Sequence, residues 1–458
     1  MNSTLLRVAS ECIARWSDTR IMSHATRHPR SVRAFAVIAA ALCGGFVACS
    51  GKTPPPHAPP RATATSASSS APGGRRAIIG VATETLCVRP RDGWARCWNT
   101  PGLFGEPAGS SSSEPTIPPK FHDAVAIAFG RQHQCTRDEE GVVRCVGLND
   151  DGQVGDGAQL LPTVVKAVGS GALALKYAFR ASNVGAPILV PTKVGSLRAR
   201  RLVAGRESTC AITAEGTVQC WGYNGYGQLG DGTIEHRSTP VTAVGVHDAI
   251  DLAMANEQTC AATAAGEVWC WGFFADPRAS VANSDLVPAR LSGLTSVREL
   301  AAYESTFCAR SDGGAVSCWG MQPASYAGRH LFADKEKVEF SAAPKPLTGV
   351  SNALAIAVGG AHVCAIVASG SVTCIGNNDR GQLGLGTDAP TTRAVTVPSI
   401  DDAREIAAFE RATCVMRADE ALWCWGSLAS WMVPFDPAKD KDRWSFRDKI
   451  WPPTRITW

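Results

Sequence analysis

Fourteen of the seventeen cysteines fall into seven pairs along the chain. They are Cys87 with Cys97, Cys135 with Cys145, Cys210 with Cys220, Cys260 with Cys270, Cys308 with Cys318, Cys364 with Cys374, and Cys414 with Cys424. Nine residues separate the two members of every pair. Thiols at a fixed spacing can bridge, bind a metal or stay reduced as small buried groups. Zinc sites need four ligands and favour spacings of two to four residues, which this pattern does not offer. Bridging needs the two Cβ atoms to approach within about 4 Å, a distance that opposed residues of an antiparallel hairpin reach. Buried reduced thiols stay open as the alternative for a chain kept in a reducing compartment.

The residues between the cysteines say what must position them. In Cys210-AITAEGTVQ-Cys220, apolar and polar residues alternate on both sides of Ala214-Glu215-Gly216. A three-residue loop ending in a left-handed Gly would set Cys210 directly opposite Cys220. Gly recurs six residues after the first Cys as Gly93, Gly141, Gly216, Gly266, Gly314 and Gly370, and only Glu420 departs. Seven disulfide-stapled hairpins are therefore expected. In the chain-entropy picture each staple contributes on the order of 2–3 kcal/mol.

Successive pairs begin 48, 75, 50, 48, 56 and 50 residues apart, a period near 50 with one insertion at about 158–190. Such a period denotes stacked supersecondary units that bury their faces only against neighbours. A second signature runs between the hairpins, Trp221-GYNGYGQLGDG-Thr233, with partial copies at Asn149-DDGQVGD-Gly157 and Asn377-NDRGQLGLG-Thr387. His133 and His362 stand two residues before the first Cys of their units. This pattern closely resembles the repeat of the regulator of chromosome condensation family, and it covers about residues 77–458. The resemblance implies an all-β, seven-bladed β-propeller of four-stranded blades with one within-hairpin disulfide each. The terminal strands Ala77-IIG-Val81 and Pro452-PTRIT-Trp458 are expected to share one blade and so close the ring by pairing, which removes free edges.

Residues 35–48 form an apolar run preceded by Arg27, Arg30 and Arg33, and they end in Val47-Ala48-Cys49-Ser50-Gly51. That layout is a secretory signal and resembles a bacterial lipoprotein processing site, with Cys49 as the lipidated residue. Residues 50–76 are rich in Pro, Ser and Ala and cannot bury a core, so they read as a disordered tether. The expected domains are 1–49 signal, 50–76 tether and 77–458 propeller. The expected location is the cell envelope, at the outer membrane or cell surface as a lipoprotein, or secreted. Membrane contact would come only through the N-terminal lipid.

The net charge of +4 vanishes once residues 1–49 are removed, leaving 39 charges of each sign. A neutral body argues against nucleic acid. The Gly-Gln-Leu-Gly stretches lack the Lys-Ser/Thr of a phosphate loop and read as turns, with Asp156 and Asp231 bonding turn backbone. Trp98, Trp221, Trp271, Trp319 and Trp425 follow the second Cys at one phase and read as interblade packing. His133 and His362 read as structural hydrogen-bond partners. No nucleophile elbow, metal pair or dinucleotide fingerprint occurs, so no catalytic residue, metal or cofactor is expected.

In units four, five and seven the Gly-rich stretch is replaced. Phe273, Phe274, Met321, Tyr326, Trp431, Met432 and Phe435 stand there, at equivalent positions of a ring, and are the candidate partner-binding residues; filling gaps between degenerate blades is the competing reading. The expected function is a macromolecular binding module that takes a protein partner. Inhibition or scaffolding of an envelope protein is a narrower form of it. A glycan-binding propeller, or a hydrolase or lyase with a site at the axis, is the alternative.

Overall fold

The structure is a computed structural model and describes residues 77–81, 85–89, 95–98, 123–158, 188–274, 283–322, 340–389, 391, 393–428 and 451–456. Every element among them is a β-strand. Blade 1 holds β1 (Ala77–Val81), β2 (Leu86–Arg89) and β3 (Arg96–Trp98). Blade 2 holds β4 (Ala126–Phe129), β5 (His133–Arg137), β6 (Val142–Gly147) and the first part of β7 (Ile188–Ala204). The second part of β7 opens blade 3, followed by β8 (Ser208–Thr213), β9 (Val218–Gly222) and β10 (Arg237–Thr242). Blade 4 is β11 (Ala249–Ala255), β12 (Gln258–Thr263), β13 (Val268–Phe274) and β14 (Asn283–Leu291). Blade 5 is β15 (Val297–Tyr303), β16 (Thr306–Ser311), β17 (Val316–Met321) and β18 (Phe340–Pro346). Blade 6 is β19 (Ala353–Val358), β20 (His362–Val367), β21 (Val372–Gly376) and β22 (Val395–Thr396). Blade 7 is β23 (Ala403–Ala408), β24 (Ala412–Arg417), β25 (Leu422–Gly426) and β26 (Trp451–Ile456).

Each blade is an antiparallel meander in chain order, and six of the seven show four strands; blade 1 shows three. Residues 99–122, where its fourth strand is expected, lie outside the described ones. The hairpin register is the expected one, with each Cys directly opposite its partner in all seven blades. Blades 1 to 3 carry the disulfides Cys87 to Cys97, Cys135 to Cys145, and Cys210 to Cys220. Blades 4 to 7 carry Cys260 to Cys270, Cys308 to Cys318, Cys364 to Cys374, and Cys414 to Cys424. Every bridge has the same Cα–Cα distance of 4.1 Å. The pairing is thus the one expected from spacing, and the reduced-thiol alternative is not what the structure holds. The turn chemistry follows too, since Gly216 adopts φ +83° and its N–H donates to Thr213 O. Glu420 takes the same left-handed turn at φ +64°, so the one unit without Gly keeps the loop and bears the strain of a Cβ there.

The inner strands β1, β4, β7, β11, β15, β19 and β23 each pack against those of both neighbouring blades, and β1 meets β23 as well as β4. Apolar side chains collect in seven clusters, one at each seam. At the closing seam Leu86, Val88 and Trp98 of blade 1 join Phe409, Met416 and Leu422 of blade 7. The expected pairing of the terminal strands is corrected here. The strand β26 pairs with β25 as the outer edge of blade 7, and β1 pairs with β2 in blade 1. The described closing contacts include this apolar seam and a hydrogen bond from the Ile78 N–H to Glu405 Oε2 at 2.7 Å. The long strand β7 joins blades 2 and 3 into one seven-stranded sheet, with Arg198 opposite Val142 and Ala199 opposite Thr213. The insertion expected at about 158–190 ends in β7, and its residues 159–187 lie outside the described ones.

Candidate functional site

Two sets of connections share one face of the ring. In blades 2 to 7 a residue at or just past the end of the third strand donates its N–H to the turn between the first and second strands of the same blade. Examples are Tyr223 to Glu207 O, Phe273 to Glu257 O, Met321 to Ser305 O and Ser427 to Arg411 O, at 2.9–3.0 Å. The long connections between third and fourth strands therefore start from this face, called the loop face below. The hairpin turns lie on the other, where Gly216 O accepts from the Ala249 N–H and a Cβ on Gly216 would meet Asp248.

The Gly-Gln-Leu-Gly turns are clasps between blades. Gln153 O, Gln228 O and Gln382 O accept the indole N–H of Trp221, Trp271 and Trp425 in the next blade at 3.0, 2.8 and 3.0 Å. The backbone must pass close over the ring, and a Cβ on Gly230 would stand 2.8 Å from Trp271 Nε1. The N–H groups of Gly157 and Gly232 reach the outer strand of the following blade, at Ser238 O and Leu286 O. Within each turn the Asn side chain accepts an N–H five residues on: Asn149 from Val154, Asn224 from Leu229, Asn378 from Leu383. Asp156 and Asp231 accept backbone N–H groups of Ala158 and Thr233, so they hold turns. Trp319 is equally buried, yet its Nε1 has no partner among the described residues. Blade 4 lacks the Gly-Gln-Leu-Gly turn that would supply one.

The two histidines are structural as well. His133 Nε2 meets Thr209 Oγ1, and His362 Nε2 meets Thr413 Oγ1, both at 2.8 Å and across a seam. Thr413 Oγ1 gives its proton to Gln382 O, so His362 Nε2 is the donor in that pair. Burial pushes the His133 ring down to about 4 and His362 to about 3.

A polar set surrounds the axis at a single register position, nine residues before the first Cys of each unit. Arg201, Asp251, Glu299 and Glu405 stand there, with Ala126 and Ala355 in two further blades. Asp251 accepts the Leu300 N–H at 2.8 Å, Glu299 the Ile356 N–H at 3.2 Å and Glu405 the Ile78 N–H. Each carboxylate thus ties its inner strand to the next. Asp251 also pairs with Arg201 at 2.9 Å and Glu299 with Arg310 at 2.6 Å. Burial raises the carboxyls of Glu299 and Glu405 above the ordinary range, opposed by these hydrogen bonds. Among the described residues no three His, Cys, Asp or Glu side chains converge as a metal site. No motif marks this axial set in the sequence, although counting back from each first Cys finds it.

The candidate partner-binding residues divide. Phe273 is half-buried and packs on Tyr226 of blade 3, with ring centroids 4.8 Å apart. Phe274 ends β13 opposite Asn283, and Met321 ends β17 opposite Phe340, so in blades 4 and 5 the strand runs on where other blades turn. Both connections leave from the loop face. Tyr326, Trp431, Met432, Phe435 and the lipidation candidate Cys49 lie outside the described residues.

The fold and its interblade clasps define a disulfide-stapled β-propeller. Models of the regulator of chromosome condensation (RCC1) repeat match residues 200–228 and 354–382, and residues 215–262. The fold is similar to Prp20p of Saccharomyces cerevisiae, at TM-score 0.59 and 18% identity over 83% of this chain and 87% of that one. That structure is described together with the binding of Prp20p to Gsp1p and histones. Yeast RCC1 (Prp20) bound to Kap60 matches at TM-score 0.60 and 18% identity, covering 91% of each chain. Human WBSCR16 matches at TM-score 0.54 and 20% identity, over 72% of this chain and 82% of that one. The chain thus carries stretches that match the RCC1 repeat, within a β-propeller fold similar to that of these structures.

Proposed function

We propose that this propeller is an exported, cell-envelope binding module whose loop face takes a protein partner, and that it acts by binding rather than by catalysis. The observation that carries the reading is where the repeats diverge. The seams 2/3, 3/4 and 6/7 keep one set of clasps, while the sequences of the connections in blades 4, 5 and 7 differ, and these connections start from a single face. RCC1-like propellers bind proteins: Prp20p is described with Gsp1p and histones, and it is seen bound to Kap60. The axial carboxylates are engaged with strand N–H groups, which supports a holding role over an acid–base one. Export is supported by the apolar run ending at Cys49 and by seven disulfides, which persist in oxidising compartments.

The test is affinity capture from envelope extract, with cross-linking and titration of the bait. A saturable protein partner, lost in the double variant Phe273→Ala with Met321→Ala but kept with a hairpin-face control, supports the reading. Retention of that partner by the loop-face variant overturns it. For export, Cys49→Ala should release the protein from membranes, and mass mapping of unreduced protein should find within-hairpin links. Free thiols at most of the fourteen positions sink the oxidising setting.

A further inference from the structure

The loop face of blades 3 and 4 carries an apolar patch rimmed by carboxylates. Ile234 is 60% exposed and Val287 44%. The Gly232 N–H donates to Leu286 O at 3.0 Å, and a Cβ on Gly232 would lie 3.6 Å from Val287 Cγ1. That bond sets the turn carrying Ile234 on β14 beside Val287. Half-buried Tyr226 and Phe273 pack on one another where Phe273 pairs with Ser284 of the same strand β14, and Tyr223 meets Tyr226 edge-on at 5.9 Å. No seam requires Ile234 or Val287 to be apolar, since both side chains face water.

Among the described residues the charge beside Ile234 is net negative. Arg237 lies between Asp231 at 2.8 Å and Glu235 at 3.1 Å. One guanidinium faces two carboxylates, so this group carries net negative charge. Glu235, 71% exposed at its side chain, is next to Ile234 in the chain, and exposed Asp285 stands two residues before Val287. An acidic rim repels phosphate polymers and anionic membranes and attracts ammonium or guanidinium groups.

We propose that this patch binds a protein segment presenting an apolar side chain beside Lys or Arg. The inference rests on the protein-binding reading above and narrows it to one place and one chemistry. The apolar side chain packs between Ile234 and Val287, where exclusion of water yields most of the affinity. The neighbouring cation pairs with Glu235 or Asp285, or lies over a Tyr face, and fixes orientation.

Random linear peptides displayed on phage, panned on the purified full chain, supply the probe. The enriched peptides should share an apolar residue flanked by Lys or Arg, and their binding should weaken with added salt. Affinity should fall about tenfold or more in Ile234→Ser and in Glu235→Lys. Both side chains are exposed, so an unchanged melting temperature confirms folding. Enriched peptides without basic residues, or binding unaffected by both variants, overturn the proposal. Peptides lost instead with Asp379→Lys, on the loop face of blade 6, overturn this patch while keeping the protein-binding face. Peptides lost only with hairpin-face variants overturn both. A failure to enrich any peptide, with a free glycan bound at Ile234 instead, also overturns it.

Discussion

At the scale of single residues, buried polar groups of the seams set how stability responds to acid. His133 and His362 are held neutral, with native values of about 4 and about 3 against an unfolded value near 6.5. Their contribution is complete above pH 6.5 and is lost as pH falls toward the native values, because the unfolded chain takes up protons first. Together they should remove about 2–3 kcal/mol between pH 7 and 5.5. Glu299 and Glu405 act in the opposite sense, since burial raises their carboxyls and the native state takes up protons early. Urea titrations at the two pH values should show this loss, and the double variant His133→Gln with His362→Gln should flatten it; equal slopes would contradict the assignment. The indoles make a second comparison. Trp271→Phe forfeits a buried bond to Gln228 O, whereas Trp319→Phe removes a donor with no described acceptor. The first should therefore destabilise by about 1–2 kcal/mol more than the second in the same titration.

At the scale of elements, the hairpin was legible because its determinants are local. A fixed Cys spacing, an alternating pattern and a Gly at one phase specify register and turn together, and even Glu420 obeys the register. That conformity gives a prediction. Glu420→Gly should stabilise the protein by up to about 1 kcal/mol, because the left-handed backbone penalises a Cβ. Gly370→Ala should do the reverse and more, since its Cβ would sit 2.5 Å from Asp401 O. Thermal melts of the two variants should move in opposite directions; a shared direction would mean that the turn is not what limits them. The site was less legible than the hairpin for a physical reason. Ile234 and Val287 are far apart in sequence, and the turn carrying Ile234 is brought to β14 only because Gly232 reaches across a seam. The axial carboxylates look like isolated charges until the units are aligned on their cysteines.

At the scale of the whole molecule, the blade count follows from counting hairpins, but the cut between blades does not. Segments 239–244 and 250–254 are neighbours in the repeat, and they belong to the last strand of one blade and the first of the next. Similarity to them could not tell whether the chain ends would share a blade, and the ends take neighbouring blades instead. The ring is therefore unevenly fastened. Blades 2 and 3 are covalently continuous through β7 within one sheet, and the clasps from Gln153, Gln228 and Gln382 reinforce the seams 2/3, 3/4 and 6/7. At the seam between blades 7 and 1 the described ties include the apolar cluster around Trp98 and the bond from Ile78 to Glu405, and the described strands of the two blades belong to separate sheets. A seam crossed by a continuous strand resists local opening more than one joined by side chains. Native-state hydrogen exchange should accordingly show the amides of β1 and β2 opening at lower free energy than those of β7 and β8. Glu405→Gln, which keeps an acceptor, should leave that order intact, whereas Glu405→Ala should speed exchange at Ile78 without changing β8. Protection in β1 equal to that in β8 would mean that the ring closes as firmly as it is joined elsewhere.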